Sequence, residues 1–234
     1  MKGEERDREV GGRDKEAVAV AVAKCADDTE GQTCYQLRGL AMTELGRGLY
    51  DAKHHEDALS VFEAELSMER RHGGTDSNIL SVQTNLSNAY HSLGRLEEAL
   101  QMDRDIYSGR AKLNGEEDER TLRAASNYAD SLMEFERFAE VKSFLQEVIP
   151  TVRRVFGDTN TTTLRMRWLY VLALYKDDSA TLADVQEAVE TLESVANSWK
   201  RVMGPAHPDT SNVQAALASA REALATRAAA SDAA

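Results

Sequence analysis

The stretch Asn85–Leu100, NLSNAYHSLGRLEEAL, holds two helical patterns of opposite phase joined by a Leu93-Gly94-Arg95 turn. Leu86, Ser87 and Tyr90 fall at i, i+1 and i+4 and share one helical stripe. Gly94 interrupts the run, and Leu96, Ala99 and Ile106 begin a second stripe. This pattern predicts one antiparallel helix pair. Two amphipathic helices cannot bury their apolar stripes against each other alone, so the unit predicts neighbours of its own kind. The chain supplies them. A glycine followed six residues on by an apolar residue or Thr that opens a helix recurs at Gly73, Gly115, Gly157 and Gly204, with spacings of 42, 42 and 47, and Gly31 extends the series back by another 42.

Composition agrees with a helical array. The 234 residues include only three prolines, are rich in Ala, Leu, Glu and Arg, and contain no convincing strand pattern. A formal charge of -12 disfavours nucleic acid or an anionic membrane surface as the main partner and fits a solvated acidic surface. Cys25 and Cys34 are the only cysteines, nine apart, without a Cys-x-x-Cys or ligand-spaced histidines, which fits a reducing, cytoplasmic compartment. Residues 1–13 are charged, lack the apolar run of a secretory signal and are expected to be disordered; 14–26 read as a capping helix. No segment reaches the ~18 apolar residues of a membrane span.

Repeat units are expected at about 37–72, 79–114, 121–156 and 163–203, followed by a capping helix at 209–227 and a disordered tail at 229–234. The first unit is out of phase with the others by one residue. Asp76, Asp118 and Asn160 each stand three residues after a glycine, where a side-chain oxygen can cap a helix N-terminus. Glu136 replaces the turn glycine of the third unit, and Pro150 is expected to kink or shorten its second helix. The fourth unit carries five extra residues, assigned to a loop at Lys176–Thr181.

These features resemble the tetratricopeptide repeat, in the 42-residue variety of kinesin light chains. The resemblance rests on NLSNAYHSLGRLEEAL, on SNYADSLMEFERFAEVKSFL and on GPAHPDTSNVQAAL with its Gly-x-x-His-Pro-Asp-Thr turn, and spans roughly residues 37 to 225. It implies an all-α, right-handed α-α superhelix of about four helix pairs plus capping helices, with repeats and cap together at 14–228. It further implies that the first helices line a concave groove that binds a peptide or partner segment. The groove positions it assigns are Leu40, Thr43, Arg47 and Tyr50 in the first unit, and Ser81, Thr84, Asn88 and His91 in the second. Arg123, Ser126, Asp130 and Met133 follow in the third, then Arg165, Trp168, Leu172 and Tyr175 in the fourth, while Asn127 corresponds to the recurrent Asn of the family.

Some tetratricopeptide domains clamp a peptide carboxylate with five side chains. Asn88, Asn127 and Arg165 match three of those places, while Thr84 and Leu169 stand where Lys and Arg are expected. Arg123 and Arg165 thus imply either an acidic ligand or, with Asp130 and Glu134 nearby, internal ion pairs. The apolar stripe of Trp168, Leu172 and Tyr175 implies a ligand pocket, a dimer contact or a surface covered by the following loop or helix.

No catalytic constellation is present. His54-His55-Glu56-Asp57 are adjacent residues that point in different directions, and there is no phosphate loop or nucleophile elbow. The expectation is a protein-interaction module, an adaptor or scaffold of the kinesin light chain kind, neither an enzyme nor a holder of a cofactor or metal, monomeric or weakly self-associating. A self-associating scaffold and a regulatory subunit of a separate enzyme are the alternatives.

Overall fold

The computed structural model describes residues 31–177 and 179–232. The expectations for 1–13, 14–26 and Cys25 lie outside them. Among the described residues there are nine helices and no strand: α1 (Gly31–Asp51), α2 (His55–Arg71), α3 (Asp76–Ser92), α4 (Leu96–Asn114), α5 (Glu119–Glu134), α6 (Phe138–Phe156), α7 (Thr161–Lys176), α8 (Leu182–Met203) and α9 (Pro208–Asp232). The chain divides between Leu113 and Asn114 into two compact units.

The first unit holds α1 to α4. α1 packs on α2, and α2 on α3. Its core comprises Ala58, Leu59, Phe62, Leu66, Val82, Leu86 and Ala89, with Leu49, Tyr50, Ile79 and Tyr90 against it. At the crossing of α1 and α2, a methyl group on Gly46 would lie 2.3 Å from Phe62 Cε1, so the missing side chain makes room for the ring. The equivalent crossing of α3 and α4 is polar. The Ser87 hydroxyl donates to Asp103 Oδ1 at 2.6 Å, and both residues are buried. Gly109 repeats the close approach, since a methyl there would lie 2.7 Å from Leu80 Cδ2.

The second unit holds α5 to α9, in which each helix packs on the next and α7 also contacts α5 and α9. Here the equivalent crossings carry Ala129 with Leu145 and Val171 with Leu192, all fully buried. The first crossing position thus runs Gly, Ser, Ala, Val along the chain while the second runs Phe, Asp, Leu, Leu. One turn earlier on each second helix, Ala58, Ala99, Val141 and Ala188 are wholly inaccessible, as helices at close quarters require.

Helix ends follow the sequence signals with one exception. The Asp118 and Asn160 side chains accept from the backbone N–H groups of Arg120 and Thr162, both at 2.8 Å. Asp76 does not cap. Thr75 is the N-cap of α3, its hydroxyl accepting from Asn78 N–H at 3.2 Å, and Asp76 is the first helical residue. The linker there begins one residue before its glycine, at His72, so the cap falls on the Thr, and Asp76 instead favours the positive end of the helix dipole. The positions six after the repeating glycines are Ile79, Thr121, Thr163 and Thr210; all three threonines are buried, and the Thr210 hydroxyl donates to Gly204 O at 2.8 Å.

The turn inside each of the first three pairs holds a residue in the left-handed conformation. Gly94 takes it at φ 72°, but Lys53 and Glu136 do so at φ 65° and 53°. Pro150 lies inside α6 without ending it, since the helix continues to Phe156. The extra residues of the fourth pair fall between α7 and α8, where Thr181 and Asp184 form a capping box and Lys142 pairs with Asp184. The last helix runs past Arg227 to Asp232 through an alanine-rich sequence of high helix propensity.

Candidate functional site

In the first unit, residues spaced three and four apart on α1 form a stripe that faces α3. Two adjoining clefts of about 350 and about 460 Å³ lie along it. Both are lined by Thr43, Ser81 and Asn85; Leu40 borders the first, and Arg47, Tyr50 and Asn88 border the second. Six of the eight expected groove positions in these two repeats therefore line a cleft. The Tyr50 hydroxyl is 2.8 Å from Ser92 Oγ, which fixes the phenol at one end, and Arg47 is exposed beside Glu44 at 3.6 Å.

Thr84 and His91 line neither cleft. The Thr84 hydroxyl donates back to Leu80 O at 2.8 Å, the usual alternative for a helical Thr. His91 Nε2 lies 3.0 Å from Asp103 Oδ2, so its ring is drawn to the buried carboxylate that also receives Ser87.

The floor of the first cleft is acidic. Glu65 and Glu69 of α2 are only 2% and 4% exposed, and the Thr43 hydroxyl donates to Glu65. One carboxylate oxygen of each is shut off from solvent; that of Glu65 receives no hydrogen bond, and that of Glu69 has the Tyr35 phenol beside it. Burial, opposed by the Thr43 hydrogen bond and reinforced by Glu69, pushes the Glu65 carboxyl up to about 7. Burial, followed by the neighbouring Glu69, likewise pushes the Tyr35 phenol up to about 12. Sequence reasoning missed both glutamates, because charged residues on an amphipathic helix read as its solvent face. The available signal was the register. Glu65 aligns with Ile106, Val148 and Val195, and Glu69 with Arg110, Val152 and Trp199, all of them buried.

In the second unit, Arg165 Nε donates to Asp130 Oδ2 at 2.7 Å, the internal pairing anticipated as one of the two options. The Arg123 guanidinium lies over the Phe156 ring, 5.6 Å from its centroid. Asn127, Trp168, Leu172 and Tyr175 are half-buried. Burial raises the Tyr175 phenol, and the Trp168 indole N–H is shielded without a hydrogen-bond partner. His55 of the histidine pair turns its edge to Tyr50 at 5.0 Å, and no group of three potential metal ligands occurs among the described residues. None of the described helices is long and apolar enough to cross a membrane.

Residues 79–119 match the tetratricopeptide repeat family model. Among solved structures, BtubC (BKLC) from P. vanneervenii is similar at 15% identity, over 98% of this chain and 88% of that one, with a TM-score of 0.71. A Podosopora anserina chain of nearly identical TPR-like repeats, assigned as a kinesin light chain, is similar at 22% identity, over 85% of this chain and 91% of that one, with a TM-score of 0.64. No curated protein matches the sequence. The fold is therefore an all-α superhelix of the tetratricopeptide type.

Proposed function

We propose that this chain, a tetratricopeptide-repeat protein resembling the repeats of kinesin light chains, is a non-catalytic interaction module that holds an extended peptide segment along α1 and α3. The observation that carries this reading is the pair of adjoining clefts sharing Thr43, Ser81 and Asn85. Their lining of hydroxyls and side-chain amides suits the backbone donors and acceptors of an extended chain, while Leu40 and Tyr50 offer apolar surface for alternate side chains. An adaptor role of the kinesin light chain kind, in the cytoplasm, is the finer form of the proposal.

The test is selection of random twelve-residue peptides against the full chain, followed by titration of the enriched peptides into wild type and an Asn85→Ala, Asn88→Ala variant. The expected result is weakened binding with an unchanged melting temperature. Peptides that bind both forms equally would place the contact elsewhere. Light scattering across a dilution series is expected to give a constant monomer mass, whereas a mass that grows with concentration would favour the self-associating scaffold.

A further inference from the structure

The acidic floor of the first cleft is only partly satisfied within the fold: Thr43 donates to one Glu65 oxygen and the Tyr35 phenol lies against Glu69, but neither supplies a positive charge. Glu65 and Glu69 are i and i+4 on α2, so their carboxylates face the same way, and a like-charged pair in that relation destabilises a helix. They occupy register positions that every later pair fills with apolar side chains, apart from Arg110, whose guanidinium donates to Ser81 Oγ at 2.9 Å. A buried carboxylate is tolerated when it is paired or fully hydrogen-bonded. Neither has a balancing charge, since no Lys or Arg pairs with either among the described residues; Glu65 keeps one shielded oxygen without a donor, and Glu69 has only the Tyr35 phenol beside its own. Both line the cleft of about 350 Å³, together with the Tyr35, Thr43, Asn78, Ser81 and Asn85 side chains.

We infer that Glu65 and Glu69 are the receptor for one cationic side chain of the bound peptide, a lysine ammonium or an arginine guanidinium entering the cleft between α1 and α3. The inference rests on the reading of these clefts as a peptide groove. An ammonium or guanidinium supplies several N–H donors and a full positive charge, which nothing among the described residues gives these two carboxylates. The cleft is far larger than a bare ion. Only two carboxylates converge there, and no group of three potential metal ligands occurs among the described residues, so a divalent cation is the weaker match. The Glu65 carboxyl, held up to about 7 when the cleft is empty, would ionise fully against such a charge.

The experiment uses the peptides enriched on the full chain. Each is titrated in parallel with a version in which lysine is replaced by norleucine or arginine by citrulline, against wild type and a Glu65→Gln, Glu69→Gln variant. The expected result is that enriched peptides carry a cation whose removal weakens wild-type binding on the order of tenfold or more, with little effect in the double variant and none from EDTA. Enriched peptides that respond to Asn85→Ala, Asn88→Ala but not to loss of their cation would overturn the inference and leave the groove standing. Binding abolished by EDTA would overturn it in favour of a metal. Peptides indifferent to Asn85→Ala, Asn88→Ala would overturn the groove reading itself. Glutamine keeps the shape and removes the charge, so the variant is expected to melt no lower than wild type; should it fail to fold, Glu69→Gln alone decides by the same comparison.

Discussion

The Ser87 hydroxyl and Asp103 Oδ1 meet at 2.6 Å inside a helix crossing where the first unit's other pair places Gly46 against the Phe62 ring. A buried carboxylate that loses a donor suffers the desolvation cost without compensation, about 1–3 kcal/mol. Ser87→Ala is therefore expected to destabilise by that amount. Ser87→Ala with Asp103→Leu, which installs the Ala129 and Leu145 pairing of α5 and α6, is expected to recover much of the loss. Urea denaturation of both single variants and the double gives the coupling energy. Additive effects would show that the two crossings are not equivalent.

Gly46→Ala tests the first crossing. In an isolated helix the change would stabilise by about 0.5–1 kcal/mol. Here the new methyl meets Phe62 at 2.3 Å, and overpacking of that kind costs about 1–3 kcal/mol, so the clash wins. Thermal melts are expected to show a lower midpoint for Gly46→Ala, and Phe62→Leu is expected to relieve it in part.

Glu65 makes stability depend on pH in a direction unusual for a carboxylate. Its folded-state value of about 7 lies above the ordinary 4.5, so the fold favours the protonated form. The associated stability is fully present below the unfolded value and is lost as pH rises through about 7. The loss is on the order of 2–3 kcal/mol. Denaturation at pH 5 and pH 8 is expected to show wild type weaker at pH 8, with a smaller difference in Glu65→Gln. An unchanged pH dependence in the variant would assign the effect to other groups.

Glu136 holds the left-handed turn before α6 at φ 53°, the role Gly94 fills at φ 72°. A side chain in that region costs about 1–2 kcal/mol, partly offset by the extra freedom a glycine brings to the unfolded chain. Glu136→Gly is thus expected to raise stability by about 1 kcal/mol or less, measured as a higher urea midpoint at constant slope.

The sequence made the helix pairs legible because two physical signals agree along it. Glycines recur where chain reversal needs them, and Thr121, Thr163 and Thr210 are buried at a fixed distance beyond. That Leu40, Thr43, Arg47 and Tyr50 share one face was legible for the same reason, since spacing alone puts them there, and all four line the clefts of the first unit. Polar groups placed against the amphipathic rule were not. Asp103, Arg110, Glu65 and Glu69 are all buried on second helices, and hydropathy assigns each to solvent. The tie of His91, one of the expected groove positions, to Asp103 was hidden because Asp103 belongs to that unseen set. Asp76 is the first helical residue because the linker before α3 opens on His72 and carries its glycine second, so a fixed offset from glycine points one residue past the cap, Thr75.

The four crossings, Gly46 with Phe62, Ser87 with Asp103, Ala129 with Leu145 and Val171 with Leu192, also bear on assembly fidelity. Repeat arrays are prone to docking a helix on the wrong copy of its partner during folding, because every copy offers nearly the same surface. Here a mispaired α5 would bring the Ala129 methyl toward a ring that only Gly46 can admit, and a mispaired α3 would leave the Asp103 carboxylate behind without its hydroxyl. The first two pairs thus carry a steric and a polar address that set them apart from the other copies. Recombination between repeats would then have to move both helices of a pair together.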